Sequence, residues 1–193
     1  GERTAGSCAH LRVHYAHPLL QKYHDERWGV PVHDDKMLFM YLVMECMSCG
    51  LSWLLMLKKQ ETFRICFANF DFKQVARFTA ADVQHILNTE NMLKSQHKIE
   101  AMITNAQAFL RVIEEFGSFD KYIWHFSKGK TMVYPSHQKR LCTRNALSDK
   151  VAKDLKKRGF KYVGSVIIYS YLQSIGIIND HQADCDCYNR KQP

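Results

Sequence analysis

The chain has 193 residues, 46% of them apolar and 24% charged, with only 9 glycines and 4 prolines; this suffices for a packed core and excludes collagen-like, disordered or low-complexity classes. Its 27 Lys and Arg against 19 Asp and Glu leave a formal charge of +8, which favours a polyanionic partner, nucleic acid above all, and no window reaches the length of a membrane span. The 7 cysteines are odd in number, and Cys46, Cys49, Cys66 and Cys142 lie in or beside apolar, helix-like stretches, so they read as reduced thiols of a cytoplasmic protein rather than as a disulfide framework.

Residues 1–12 are small, polar and without period, and are expected to form a flexible N-terminal segment ahead of a single helical domain over 13–193. After the good N-cap Asp34, the run from Met37 to Met47 is apolar on nearly every face and has Glu45 as its only charge, which predicts a buried helix. A carboxylate there costs several kcal/mol unless compensated. Glu45 is therefore either a satisfied structural residue near a helix end or a group awaiting a ligand that brings donors or positive charge. Helical spacing recurs over 61–67, 79–87 and 95–116, with Thr79 and Asp82 spaced as a capping box and Gly117 as a stop. The stretch from Ser127 to Leu141 reads as a loop, strand-like alternation is nearly absent, and no internal repeat is visible. The expected fold class is all-α.

A Lys-rich helix runs from Asn145 to Arg158, breaks over Gly159 to Gly164, and resumes from Ser165 to Leu172. Helix N-termini bind phosphate oxygens through free N–H groups and the helix dipole. Gly159, Lys161, Gly164 and Ser165, with Lys156, Lys157 and Arg158 beside them, therefore fit a helix-hairpin-helix that holds a DNA backbone without reading bases. An ordinary αα-turn with a glycine cap fits the same residues.

Several stretches in order, Tyr23-His24-Asp25, Trp28-Gly29-Val30-Pro31, Glu45, Gly50-Leu51-Ser52-Trp53, Leu57-Lys58-Lys59, the Lys157 to Gly164 hairpin and Asn179-Asp180-His181 with Cys185, resemble the 3-methyladenine DNA glycosylase I family from about Pro18 to Tyr188. The resemblance implies a helical helix-hairpin-helix glycosylase fold. It also implies an N-glycosyl hydrolase that releases N3-methyladenine from alkylated double-stranded DNA in base excision repair; a monomer is expected, and a monofunctional enzyme, because Lys161 is better placed for phosphate contact than as a lyase nucleophile. On that likeness Tyr23, Trp53 and Tyr15 bind the base, Glu45 is the catalytic carboxylate that accepts hydrogen bonds from the purine and balances its charge, and Gly50 and Leu51 fill the gap left by the extruded base. An enzyme working on a base must take it out of the stack, and a methylated, cationic purine between electron-rich rings gains about 0.5–2 kcal/mol of cation–π attraction. Core packing is the competing reading for Leu51, and likewise for Tyr23 and Trp53. Asp180 reads as a partner of His181 or a helix cap.

The family's structural zinc ties the chain ends together, and His24, His181 and Cys185 correspond to three of its ligands. The fourth is displaced, because Val13 stands where the cysteine belongs; Cys8 is favoured, with His10, His14 and Cys187 as substitutes. Tyr15 replaces a pocket Trp, Arg27 replaces an acidic residue, and Met47-Ser48-Cys49 replaces a Gln-rich approach. These departures keep open a non-catalytic or substrate-shifted paralogue that binds alkylated DNA.

Overall fold

In the computed structural model, residues 17–27, 29–48, 51–134 and 143–179 are described. The helices are α1 (Pro18–Glu26), α2 (Asp35–Ser48), α3 (Trp53–Lys58), α4 (Gln60–Cys66), α5 (Phe72–Val75), α6 (Ala80–Leu87), α7 (Gln96–Phe116), α8 (Phe119–His125), α9 (Ala146–Lys157) and α10 (Ser165–Ser174). The predicted helices over 61–67, 79–87 and 95–116 correspond to α4, α6 and α7.

The apolar run fixes the architecture. Every residue of α2 from Leu38 to Ser48 is buried, because α7, α8 and α10 pack around it. Asp34 accepts the Met37 N–H at 3.1 Å, as expected of the cap. Asp35 reaches further, accepting the N–H groups of Phe119 and Asp120 at 3.1 and 2.8 Å, so one carboxylate pins the start of α8 to the start of α2. Phe109 of α7 anchors the ring cluster, 4.1 Å from Phe119, 4.8 Å from Phe72 and 5.3 Å from Phe39 between centroids. The Thr79–Asp82 capping box forms, and α7 ends at Gly117 with φ of 88°, a conformation that favours glycine.

The described residues are mostly helical, as the all-α expectation has it, with one addition. Met132–Val133 (β1), inside the stretch read as loop, pairs in parallel with Ile178–Asn179 (β2) after α10. Two-residue strands carry no period, so alternation cannot reveal them. Ile178 and Asn179 lie just after α10, which also sits against the connection between α1 and α2: Gly29 N–H donates to Gln173 O at 3.1 Å and Val32 N–H to Ile175 O at 2.9 Å. Gly176 permits this approach. Its φ is 84°, and a Cβ there would stand 2.5 Å from Pro31 N. Among the described residues no helix is long and apolar enough to cross a membrane.

Candidate active site

Glu45 lies in the last turn of α2, only 5% exposed. Its Oε1 accepts the Ser174 hydroxyl at 3.0 Å, and Ser174 Oγ in turn accepts the Tyr23 hydroxyl at 3.0 Å. A relay thus runs from α1 through the end of α10 to α2. Burial pushes the Glu45 carboxyl up to about 8, and the Ser174 hydrogen bond only partly opposes it. Among the described residues no cation contributes, so the group is held neutral by desolvation. Of the two roles open to Glu45, the structural one would require satisfaction; one hydroxyl is all that the described residues supply. The Tyr23 hydroxyl is raised too, first by burial and then by the neighbouring Glu45.

Trp53 opens α3, where the Ser52 hydroxyl caps the helix by accepting the Leu55 N–H at 3.2 Å. Helices α1 and α3 pack together, which brings the Trp53 and Tyr23 rings to 5.5 Å between centroids at 50°. A purine inserted between two rings needs two van der Waals layers, roughly 7 Å with parallel planes. The arrangement expected from the sequence, a base between Tyr23 and Trp53, is therefore closed here, and the two rings must move apart as well as turn parallel before a base enters between them. Trp53 Nε1 is buried with no hydrogen-bond partner among the described residues, an unmet donor at the same place.

Arg27 occupies a defined position. Its Nε donates to the Tyr41 hydroxyl and its Nη1 to Gln60 Oε1, each at 3.2 Å. The guanidinium stands 5.6 Å from the ring centroids of both Tyr23 and Tyr41. It therefore braces Tyr23 through cation–π contact.

Leu51 is 41% exposed, so its core-packing reading fails; it projects from the turn between α2 and α3. At the hairpin, Lys156, Lys157 and Lys161 are exposed, while Gly159 and Tyr162 take φ of 94° and 59°. Gly164 caps α10 without any side-chain cap, which leaves the first-turn N–H groups uncapped by a side chain. Two expected contributors are otherwise engaged. Arg158 turns inward, bonding Asp154 at 2.7 Å and Glu115 at 2.6 Å, with its guanidinium over Phe116 and Tyr122. The Ser165 hydroxyl donates to Asp149 at 2.5 Å and meets Ser148 Oγ at 2.8 Å. Only the backbone of Ser165 is left for a ligand.

Cys8, Tyr15, Gly50, Asp180, His181, Cys185 and the His24 side chain lie outside the described residues. Among the described ones, no group of three or more His, Cys, Asp or Glu could hold a metal. Ser174, Tyr41 and Gln60 were not foreseen as part of this site. A Ser in the last turn of an apolar helix is an unremarkable signal, and only its distance from Glu45 gives it meaning.

Residues 13–189 match the methyladenine glycosylase family. The chain belongs to that family. Among its relatives, DNA-3-methyladenine glycosylase 1 of Escherichia coli K12 is 38% identical over 177 residues, 91% of this chain and 95% of the relative. DNA-3-methyladenine glycosylase of Haemophilus influenzae is 36% identical over 166 residues, 86% and 90% of the two chains. The structure of the methyladenine glycosylase fold in 3-methyladenine DNA glycosylase I from Staphylococcus aureus superposes with a TM-score of 0.90 at 33% identity, covering 95% of this chain and 98% of that one. A variant of 3-methyladenine DNA glycosylase I in complex with 3-methyladenine gives 0.88 at 33%, covering 91% and 95%.

Proposed function

We propose that this protein is a monofunctional DNA glycosylase that hydrolyses the N-glycosidic bond of N3-methyladenine in alkylated double-stranded DNA. The observation that carries the reading is Glu45: a buried carboxyl joined through Ser174 to Tyr23, whose ring meets Trp53, and held neutral up to about pH 8 with no cation among the described residues to pair it. N3-methylation gives the purine a positive charge in DNA and weakens its glycosidic bond, so the leaving base needs little help from an acid. A site that supplies shape, dryness and a matched charge is sufficient. The flipped cation favours the ionised form of Glu45, whose proton leaves to solvent, and the carboxylate then accepts hydrogen bonds from the purine, balances its charge in the transition state and orients the attacking water. Tyr23 stacks on the base, with Tyr15 and Trp53 as further walls. Leu51, with Gly50, fills the gap in the duplex.

The hairpin between α9 and α10 acts as a helix-hairpin-helix, with Gly159, Lys161, Gly164 and the Ser165 backbone on the phosphates of one strand. The protein works as a monomer, with residues 13–193 as one domain. His24, His181, Cys185 and Cys8 form a structural zinc site whose closed, tetrahedral His and Cys donor set would tie the chain ends together. Support for this comes from the donor chemistry and from the Tyr23–Ser174 contact, which joins the helix of His24 to the segment leading to His181.

The test is chromatographic detection of purines released from methylated duplex DNA by wild type and by Glu45→Ala, with DNA binding measured alongside. Release of 3-methyladenine by wild type alone, with both proteins binding DNA, is the expected result. No release by either protein would reduce the scaffold to a binder of alkylated DNA. Native mass spectrometry before and after chelation reports the zinc.

A further inference from the structure

Asn105 is an outlier in α7. It sits on the face that carries Ile99, Met102, Ala106, Phe109 and Val112, all buried, and is itself 1% exposed. Burying an amide among apolar side chains is costly unless both its donor and its acceptor are used. Here both are used on one residue of the hairpin: Asn105 Nδ2 donates to Lys161 O at 3.0 Å, and Lys161 N–H donates to Asn105 Oδ1 at 2.7 Å. The same nitrogen lies 3.9 Å from Cys46 Sγ, next in sequence to Glu45. Further along α7, Arg111 Nη2 donates to Arg158 O at 3.2 Å, bracing the start of the same connection.

The connection needs such support. Gly159 and Tyr162 both have positive φ, and Tyr162 is not a residue that adopts this conformation readily. The peptide groups on either side of Lys161 have their orientation set by a side chain from another helix. The first turn of α10 that follows, uncapped by any side chain, inherits that orientation.

We infer that Asn105 is a positioning residue for DNA binding: its amide clamps the backbone of Lys161 and so aims the hairpin tip at the phosphates, at a fixed offset from the helix that carries Glu45. The inference rests on the reading of the hairpin as the DNA grip. Asn105 does not touch the base or the reacting atoms. Its loss therefore raises the Kd and KM for DNA and leaves the base site as it was.

The experiment compares wild type, Asn105→Leu, Asn105→Asp and Lys161→Ala, each checked for folding by circular dichroism. It measures binding to undamaged duplex DNA over a range of salt, and quenching of Trp fluorescence by free 3-methyladenine. Asn105→Leu removes both hydrogen bonds while keeping the same branched heavy-atom skeleton and is expected to weaken DNA binding at least about 10-fold, with free-base affinity within about twofold of wild type. The slope of log K against log salt should fall by about one, as for the loss of one phosphate contact. Asn105→Asp keeps the acceptor, is closest in shape, and should lose at least about threefold; it stands in if the Leu variant fails to fold. If Lys161→Ala weakens DNA binding while folded Asn105 variants bind as wild type does, the positioning role is overturned and the hairpin reading survives. If Lys161→Ala also binds DNA normally, both fall. A loss of free-base and DNA binding together with an unchanged salt slope would mark Asn105 as a plain core residue, which also overturns the inference.

Discussion

The raised Glu45 carboxyl makes a stability prediction whose sign can be worked out. Its ordinary value is 4.5 and its folded value about 8. Below pH 4.5 the group carries a proton in both folded and unfolded chains, and stability does not depend on it. Between 4.5 and 8 the folded chain keeps a proton that the unfolded chain releases, so stability falls as pH rises, and above 8 the dependence levels off. At about 1.36 kcal/mol for each pH unit the whole interval is worth roughly 4–5 kcal/mol. Glu45→Gln removes the titration while preserving an oxygen that accepts the Ser174 hydroxyl. Its buried NH2 adds a cost of about 1–3 kcal/mol, but that cost is the same at every pH. Urea denaturation of both proteins from pH 5 to pH 9 should therefore show the advantage of wild type over the variant shrinking and then reversing, by several kcal/mol in all. At roughly 2–4 °C per kcal/mol for a chain of this size, melting temperatures should cross by about 10 °C or more. Two curves that stay parallel within about 0.5 kcal/mol would refute the claim that Glu45 is neutral in the folded protein.

The same titration should appear in catalysis. The pH profile of kcat/KM on methylated DNA should rise toward a plateau with an apparent pKa near 8, and a wild-type profile flat from pH 6 to 9 would rule out a required carboxylate. Leu51→Ala should leave the melting temperature nearly unchanged, since the side chain is exposed, yet lower single-turnover kcat/KM about 10-fold; a normal rate would exclude the gap-filling role. Gly176→Ala should cost about 2–4 kcal/mol in urea denaturation, because a Cβ meets Pro31 N at 2.5 Å and φ is 84°. A loss under 1 kcal/mol would mean that Val30–Pro31 yields easily.

Much of the fold was legible because the helices α2, α6 and α7 carry strong local signals: an apolar run, a capping box and a glycine stop. The strands were not, for two residues have no period. For the site, Glu45 was conspicuous because a carboxylate inside an apolar run has few explanations, and resemblance gave Tyr23 and Trp53 their places. Ser174, Tyr41 and Gln60 were invisible, since each is an ordinary residue until tertiary packing sets it against a partner 129, 14 or 33 residues away. Arg27 could be noticed only as a departure, and the structure turns it into the brace of a ring. Arg158 shows the converse, a basic residue in a basic cluster whose charge is consumed by Glu115 and Asp154. Spacing places residues on a helix, but it does not say which charges face outward.

The placement of Arg27 bears on how such a site discriminates. Its guanidinium acts on Tyr23, whose hydroxyl burial raises and Arg27 opposes only as the smallest cause, whereas Glu45 is perturbed by burial and Ser174 alone. Among the described residues no cation perturbs the carboxyl, and Arg27 instead stands against the rings of Tyr23 and Tyr41. At pH 7, ionising a group whose pKa is about 8 takes about 1.4 kcal/mol. A methylated, cationic purine about 4 Å away returns about 4 kcal/mol at an effective dielectric of about 20. The difference, about 2.5 kcal/mol, amounts to a preference of roughly 50–100-fold for the cationic base. Neutral adenine gains nothing from the exchange, because it cannot repay the ionisation and finds only a neutral acid. A carboxylate already paired with Arg27 would have spent its charge on the protein. On the proposed role of Glu45, a carboxyl that is buried, neutral and, among the described residues, without a cation would serve selection as well as catalysis, and would tie the preference for the charged lesion to pH, rising until Glu45 ionises by itself.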